Sequence, residues 1–125
     1  MIQTFYSVIL IISLIACQQA NTTKISAEKL KELQSEGFLV VDIRTAKEYN
    51  AGHIPGVSDN IDYLQDDFLS KMEAFEKSKP IIIHCAKGGR SEKASAILAD
   101  AGFVEIYDYV GGFSDWKQRG EEIEK

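Results

Sequence analysis

The chain has 125 residues, with 14 Lys and Arg against 19 Asp and Glu, two Cys, two His and a net charge of −5. This length, with 45% hydrophobic residues, supports one domain with a single core and gives no sign of internal repeats or low-complexity blocks. The acidic balance argues against nucleic-acid binding, which needs a basic patch.

Residues 1–23 carry no charged side chain, and Phe5 to Ala16 is an apolar segment of signal-peptide core length, too short to span a bilayer comfortably. It ends in Leu14-Ile15-Ala16-Cys17, which resembles a bacterial lipobox, with Cys17 as the lipidated residue. The departure is the missing Lys or Arg before the apolar core. The expectation is a signal peptide over 1–16, a lipid anchor and polar tether over 17–24, and a globular domain over 25–125. An uncleaved anchor and an ordinary signal peptide cleaved nearby are the alternatives. The implied location is the bacterial cell envelope as a membrane-anchored, periplasm-facing lipoprotein, or secretion if Cys17 is not lipidated. Gln18 after the cysteine is compatible with outer-membrane sorting. Removing residues 1–16 leaves 109, and acylation of Cys17 would leave Cys85 as the only free thiol.

Within the domain, Ser26 is placed to cap a helix over Ala27–Ser35. Phe38–Ile43 reads as a strand. Thr45 and Glu48 have capping-box spacing and open a helix over Ala46–Asn50. Val57–Ile61 reads as a short edge strand. Asp66–Glu76 has helical spacing, with Phe68, Leu69, Met72 and Phe75 on one core-facing side. Pro80–His84 is a central strand, Ser91–Ala101 a helix stopped by Gly102, Glu105–Tyr109 a strand, and Phe113–Arg119 a final helix. Alternating strands and helices favour a parallel α/β sheet.

The informative stretch is Ile81-Ile82-Ile83-His84-Cys85-Ala86-Lys87-Gly88-Gly89-Arg90-Ser91. A buried-strand pattern ends at a cysteine, and a glycine-rich basic loop leads into a helix. Open α/β sheets bind ligands at such strand ends. Gly88 and Gly89 let successive N–H groups turn inward as an anion nest, and the helix adds its unpaired N–H groups. Lys87 and Arg90 add charge. Together these favour a thiolate, the nucleophilic form. A buried core cysteine, the alternative, would need none of these features.

His84 should point to the opposite face of its strand from Cys85, in a packing or surface role. His53, in the turn Gly52-His53-Ile54-Pro55-Gly56, suits a hydrogen bond to local backbone. Two histidines and one free thiol without ligand spacing argue against a metal site. Trp116 reads as packing.

Three stretches resemble the rhodanese family of sulfurtransferases: Val40-Val41-Asp42-Ile43-Arg44 through Glu48-Tyr49 and Gly52-His53-Ile54-Pro55-Gly56; His84-Cys85 to Ser91; and Gly111-Gly112-Phe113-Ser114-Asp115-Trp116. They span about residues 25–120 in the family's order and spacing. The resemblance implies an α/β fold of three layers, α/β/α, with a five-stranded parallel sheet. It implies Cys85 as a catalytic residue that becomes a persulfide, and Ala86, Lys87, Gly88, Gly89 and Arg90 as the substrate-binding loop. It also implies structural pairing among Asp42, Arg44 and Glu48, and no cofactor. The four residues between Cys85 and Arg90 match the sulfurtransferase loop, whereas related phosphatases and arsenate reductases have one more.

The implied reaction moves a sulfane sulfur from thiosulfate or a polysulfide to cyanide or a thiol. Sulfite leaves without protonation, so a preformed thiolate suffices and no Cys-His-Asn arrangement is needed. The implied partners are a small anionic sulfur donor and a thiol or cyanide acceptor, with a protein sulfur acceptor or redox partner as a further class. Nothing requires more than a monomer. A sulfur carrier without efficient turnover is the second reading, and a phosphatase or arsenate reductase the third.

Overall fold

A computed structural model describes residues 21–125; the signal-peptide and Cys17 lipidation readings lie outside the described residues. Among the described residues ten elements alternate: β1 Asn21–Ile25, α1 Ala27–Ser35, β2 Leu39–Asp42, α2 Ala46–Ala51, β3 Asp59–Asn60, α3 Phe68–Met72, β4 Ile81–His84, α4 Gly89–Asp100, β5 Glu105–Tyr109 and α5 Gly112–Gln118. The strands form one sheet of order β1-β5-β4-β2-β3, parallel throughout.

The middle strand explains the sheet. All four residues of β4 are buried, as a parallel strand covered on both faces requires. Ile81 and Ile83 join the core under α3 and α4, with Met72, Leu98 and Phe103. Ile82 joins the other core, with Leu30, Leu33, Tyr109, Phe113 and Trp116. The two cores are the two faces of the sheet, so this is the expected three-layer α/β/α fold.

Local signals set most boundaries. Ser26 Oγ accepts the Lys29 N–H at 3.2 Å, and Leu30 and Leu33 bury the inner side of α1. Thr45 and Glu48 form a complete capping box at the start of α2. Two elements are less than half their expected length. The edge strand over 57–61 reduces to Asp59–Asn60. The helix expected over 66–76 is helical only over Phe68–Met72. Beyond it, Ala74 and Phe75 donate to carbonyls three residues back, a tightened turn that leads toward β4. Phe75 still packs on the core.

The tether reading is corrected over Asn21–Lys24. These residues form β1, registered from Asn21 beside Glu105 to Ile25 beside Tyr109. Only Ile25 of the five is buried. The strand is an edge strand held by backbone pairing and carries no apolar alternation, the signal by which a strand is read.

Candidate active site

Cys85 follows β4 directly and is 1% exposed, at the edge of the α3/α4 core. The backbone turns through Gly88, whose φ is +93°. A Cβ there would lie 2.7 Å from the Val110 carbonyl oxygen, so the position requires glycine. This turn aims the Gly88 N–H at Cys85 Sγ, 3.1 Å away. The Cys85 thiol in turn lies 3.6 Å from Ser91 Oγ as donor, and Ser91 Oγ donates to the Gly88 carbonyl at 3.2 Å. Burial pushes the thiol pKa up. Hydrogen bonds from the backbone and hydroxyl of Ser91 and the backbones of Lys87 and Gly88 outweigh it, and the net shift is below the ordinary thiol value.

The expected helix over 91–101 begins two residues earlier, at Gly89. Arg90 therefore sits in the first turn of α4. Its guanidinium meets both oxygens of Glu48, Nη1 to Oε1 at 2.8 Å and Nη2 to Oε2 at 3.0 Å. The Arg90 hydrogen bonds, offset in part by desolvation and aided by bonds from Thr45, bring the Glu48 pKa down to about 2. Arg90 thus braces the loop against α2, and its charge is matched by Glu48. Directed N–H and O–H groups lower the thiol pKa, and the Cys85 charge in turn helps to raise the Arg90 pKa, after the larger effect of Glu48.

The carboxylates of Asp42 and Glu48 take different partners, while Arg44 Nη1 reaches the Glu48 backbone carbonyl at 3.5 Å. Asp42 and Arg44 are 0% and 2% exposed. Arg44 Nη2 donates to Asp42 Oδ2 at 2.7 Å and Nε to Oδ1 at 3.0 Å. The same guanidinium donates to the Gly52 carbonyl at 2.8 Å and stacks 4.1 Å from the centre of the Phe113 ring. Glu48 belongs to Arg90 and to its own helix cap.

His84 lies beside Asp42 in the sheet register, on the face opposite Cys85, and is fully buried. Its Nδ1 donates to the Cys85 carbonyl at 3.0 Å. Desolvation by burial lowers its pKa, so it is a neutral packing residue. His53 Nδ1 donates to the Tyr49 carbonyl at 3.0 Å, and its ring stacks on Tyr49 at 3.9 Å. Trp116 is 4% exposed, with Nε1 donating to the Glu122 carbonyl at 2.7 Å.

Two contributors lie in the stretches that carry the resemblance but were given no role of their own there. Ser91, the end of the loop stretch and the helix start, is the side chain that touches the sulfur. Gly112 and Phe113 form the second brace of the loop. The Phe113 N–H donates to the Cys85 carbonyl at 2.9 Å and the Ser114 N–H to the Ala86 carbonyl at 3.0 Å. Gly112 lies so close that a Cβ would fall 2.6 Å from both carbonyl oxygens.

Ser91 gives a direct test of the thiol environment. In Ser91→Ala, the pH midpoint of Cys85 alkylation by iodoacetamide is expected to rise, since the hydroxyl is one of the hydrogen bonds that lower the thiol pKa. Alkylation rate against pH reads it. An unchanged midpoint would show that the backbone groups alone set the thiol.

A family profile described as the rhodanese-like domain matches residues 26–119. The chain is 36% identical over 94 residues to thiosulfate sulfurtransferase GlpE of Ectopseudomonas mendocina, covering 75% of this chain and 84% of that one. It is 34% identical over 108 residues to thiosulfate sulfurtransferase 16, chloroplastic, of Arabidopsis thaliana, covering 78% and 89%. Among solved structures, a rhodanese-related protein from Thermoplasma volcanium superposes with a TM-score of 0.70 at 28% identity, covering 82% of this chain and 97% of that one. A rhodanese-like domain protein from Staphylococcus aureus gives 0.67 at 30% identity, covering 82% and 99%. On the strength of a match across nearly the whole domain, this chain belongs to the rhodanese-like family.

Proposed function

We propose that the protein is a sulfurtransferase that carries sulfane sulfur as a Cys85 persulfide. The observation that carries this reading is the hydrogen-bonded cradle around Cys85 Sγ. A nucleophile held by the Gly88 N–H and Ser91, with a lowered pKa, is ready to attack without a base. The thiolate attacks the outer sulfur of thiosulfate. A Cys85 S–S bond forms as the thiosulfate S–S bond breaks, and the electron pair leaves on sulfite. Cyanide or a thiolate then attacks the outer sulfur and takes it, and the Cys85 thiolate returns. The loop N–H groups hold the negative charge in each state.

Turnover with thiosulfate and cyanide that depends on Cys85 tests the reading. The carrier alternative differs in kinetics alone: a persulfide would form, with poor turnover. The complete loop and the similarity to thiosulfate sulfurtransferases favour an enzyme. The four-residue spacing to Arg90 disfavours a phosphatase.

The protein is further proposed to be a cell-envelope lipoprotein acylated at Cys17. Cys17 stands four positions before Asn21 of β1, a span of at most about 14 Å, so a lipid there would keep the domain close to the membrane surface. Mass analysis of the N-terminal peptide from the native host distinguishes acylation from simple cleavage.

A further inference from the structure

Asp108 is a buried carboxyl to which the transfer chemistry gives no role. It stands on β5, where its register neighbours are Ile83 of β4 and Lys24 of β1, and it is 1% exposed. Strand alternation sets it on the same face as Ile106, two residues before it, and Ile106 and Ile83 lie in the core that Cys85 joins. The carboxyl is thus on the α4 side of the sheet, and Cys85 is two residues beyond its neighbour Ile83. Its Oδ1 is buried with no hydrogen-bond partner among the described residues, a costly arrangement for a charged oxygen.

Ser91 links this carboxyl to the nucleophile. Its Oγ lies 3.6 Å from Cys85 Sγ and 3.2 Å from the Gly88 carbonyl oxygen. Burial pushes the Asp108 carboxyl above the ordinary carboxylate value; the Ser91 hydroxyl, as a donor to it, is the largest influence against that rise, followed by Lys24, while Glu92 adds to it. A hydroxyl has one proton to donate. Here it is turned to the Gly88 carbonyl, which leaves Asp108 Oδ1 bare. Cys85 is itself 1% exposed, so its thiol proton has no direct way to water. Asp108 does border a cavity of about 340 Å³, whose rim carries Lys24 from β1, Glu92 from α4 and Lys87 from the loop. Those three are the charged groups that face it, and Ile83, its neighbour on β4, is apolar.

We propose that Asp108 is a positioning residue that takes the thiol proton of Cys85 through Ser91. It rests on the sulfurtransferase reading only in taking Cys85 as the nucleophile. The S–H bond of Cys85 breaks as its proton joins the Ser91 oxygen, and the Ser91 proton passes to Asp108 Oδ1. The negative charge moves from carboxylate to sulfur, with no net change. Asp108 then donates to Ser91 and Ser91 to the thiolate, so the bare oxygen gains a partner. The proton leaves before substrate arrives, and the attack on sulfur itself needs no base.

The test is the ultraviolet absorbance of the Cys85 thiolate against pH in the full chain, with Cys85→Ala as the blank for Cys17 and the tyrosines. Two groups that share a proton titrate as a pair, so the wild type is expected to gain thiolate in two steps. The lower step is expected to vanish in Asp108→Asn, which cannot take the proton, and in Ser91→Ala, which cuts the path. It is expected to persist in Glu92→Gln, which removes the other carboxylate facing Asp108. A single step in the wild type overturns the relay, whether or not the variants fold. So do two steps in folded Asp108→Asn or Ser91→Ala, and so does loss of the lower step in Glu92→Gln. Intact mass after thiosulfate keeps this result apart from the sulfurtransferase reading. Sulfur uptake with a single thiolate step removes the relay alone, whereas two steps without sulfur uptake keep the relay and remove that reading.

Discussion

Asp42→Ala is expected to destabilise the domain by about 3–5 kcal/mol, the range for removing one member of a buried ion pair. Arg44 would keep the Gly52 carbonyl and the longer bond to the Glu48 carbonyl but lose its contacts with both Asp42 oxygens. Its own backbone N–H, 2.9 Å from Asp42 Oδ1, would also lose its acceptor. The residue that replaces Asp42 cannot bring water to a site 0% exposed, so the charge stays unpaired. Thermal or urea unfolding measures the loss. The double variant Asp42→Ala/Arg44→Met is expected to recover part of it, because replacing both charges removes the stranded one. A single variant within 1 kcal/mol of wild type would mean that Arg44 finds solvent or another partner. The pair would then not be what fixes α2 and Phe113 beside the loop.

Gly112→Ala is expected to cost both stability and activity. Its φ of +63° is unfavourable for any residue with a Cβ, by about 1–3 kcal/mol. The added methyl would also lie 2.6 Å from the carbonyl oxygens of Cys85 and Ala86. Both are backbone atoms, so relief requires the loop or the start of α5 to move. Either movement stretches the bonds from Phe113 and Ser114 that brace the nucleophile. Sulfurtransferase turnover is expected to fall at least tenfold, since each tenfold is only about 1.4 kcal/mol in the barrier. Gly89→Ala provides the contrast in unfolding experiments, because a Cβ there meets nothing within 4 Å and should leave the domain folded. Wild-type turnover in Gly112→Ala would show that the loop does not depend on this brace.

These two variants also mark where sequence reading reaches and where it stops. The strand β4, the cysteine at its end and the helix after it were legible because burial, glycine and helix signals change within a few residues. The side of the sheet that His84 takes followed from strand alternation alone. The rest depended on distances between separate segments. Spacing cannot tell that Glu48 turns to Arg90, 42 residues on, while Asp42 turns to Arg44. Gly112 reads as one of a glycine pair until the loop carbonyls are seen above it. β1 was missed because its four exposed residues bury nothing to betray them, and its stability lies in the β5 backbone. Ser91 was legible as the end of the loop stretch and a helix start, but not as a partner of sulfur, since that contact depends on how tightly the loop turns at Gly88.

The central claim is that Cys85 accepts a sulfur atom and passes it on. The most direct measurement is intact-mass spectrometry of the full chain after thiosulfate, then after cyanide, beside Cys85→Ala treated the same way. The account predicts one added sulfur, about 32 Da, on the wild type, its removal by cyanide with thiocyanate released in equal amount, and neither change in the variant. A folded, reduced wild type that gains no sulfur, or a Cys85→Ala protein that still gains one, would contradict it.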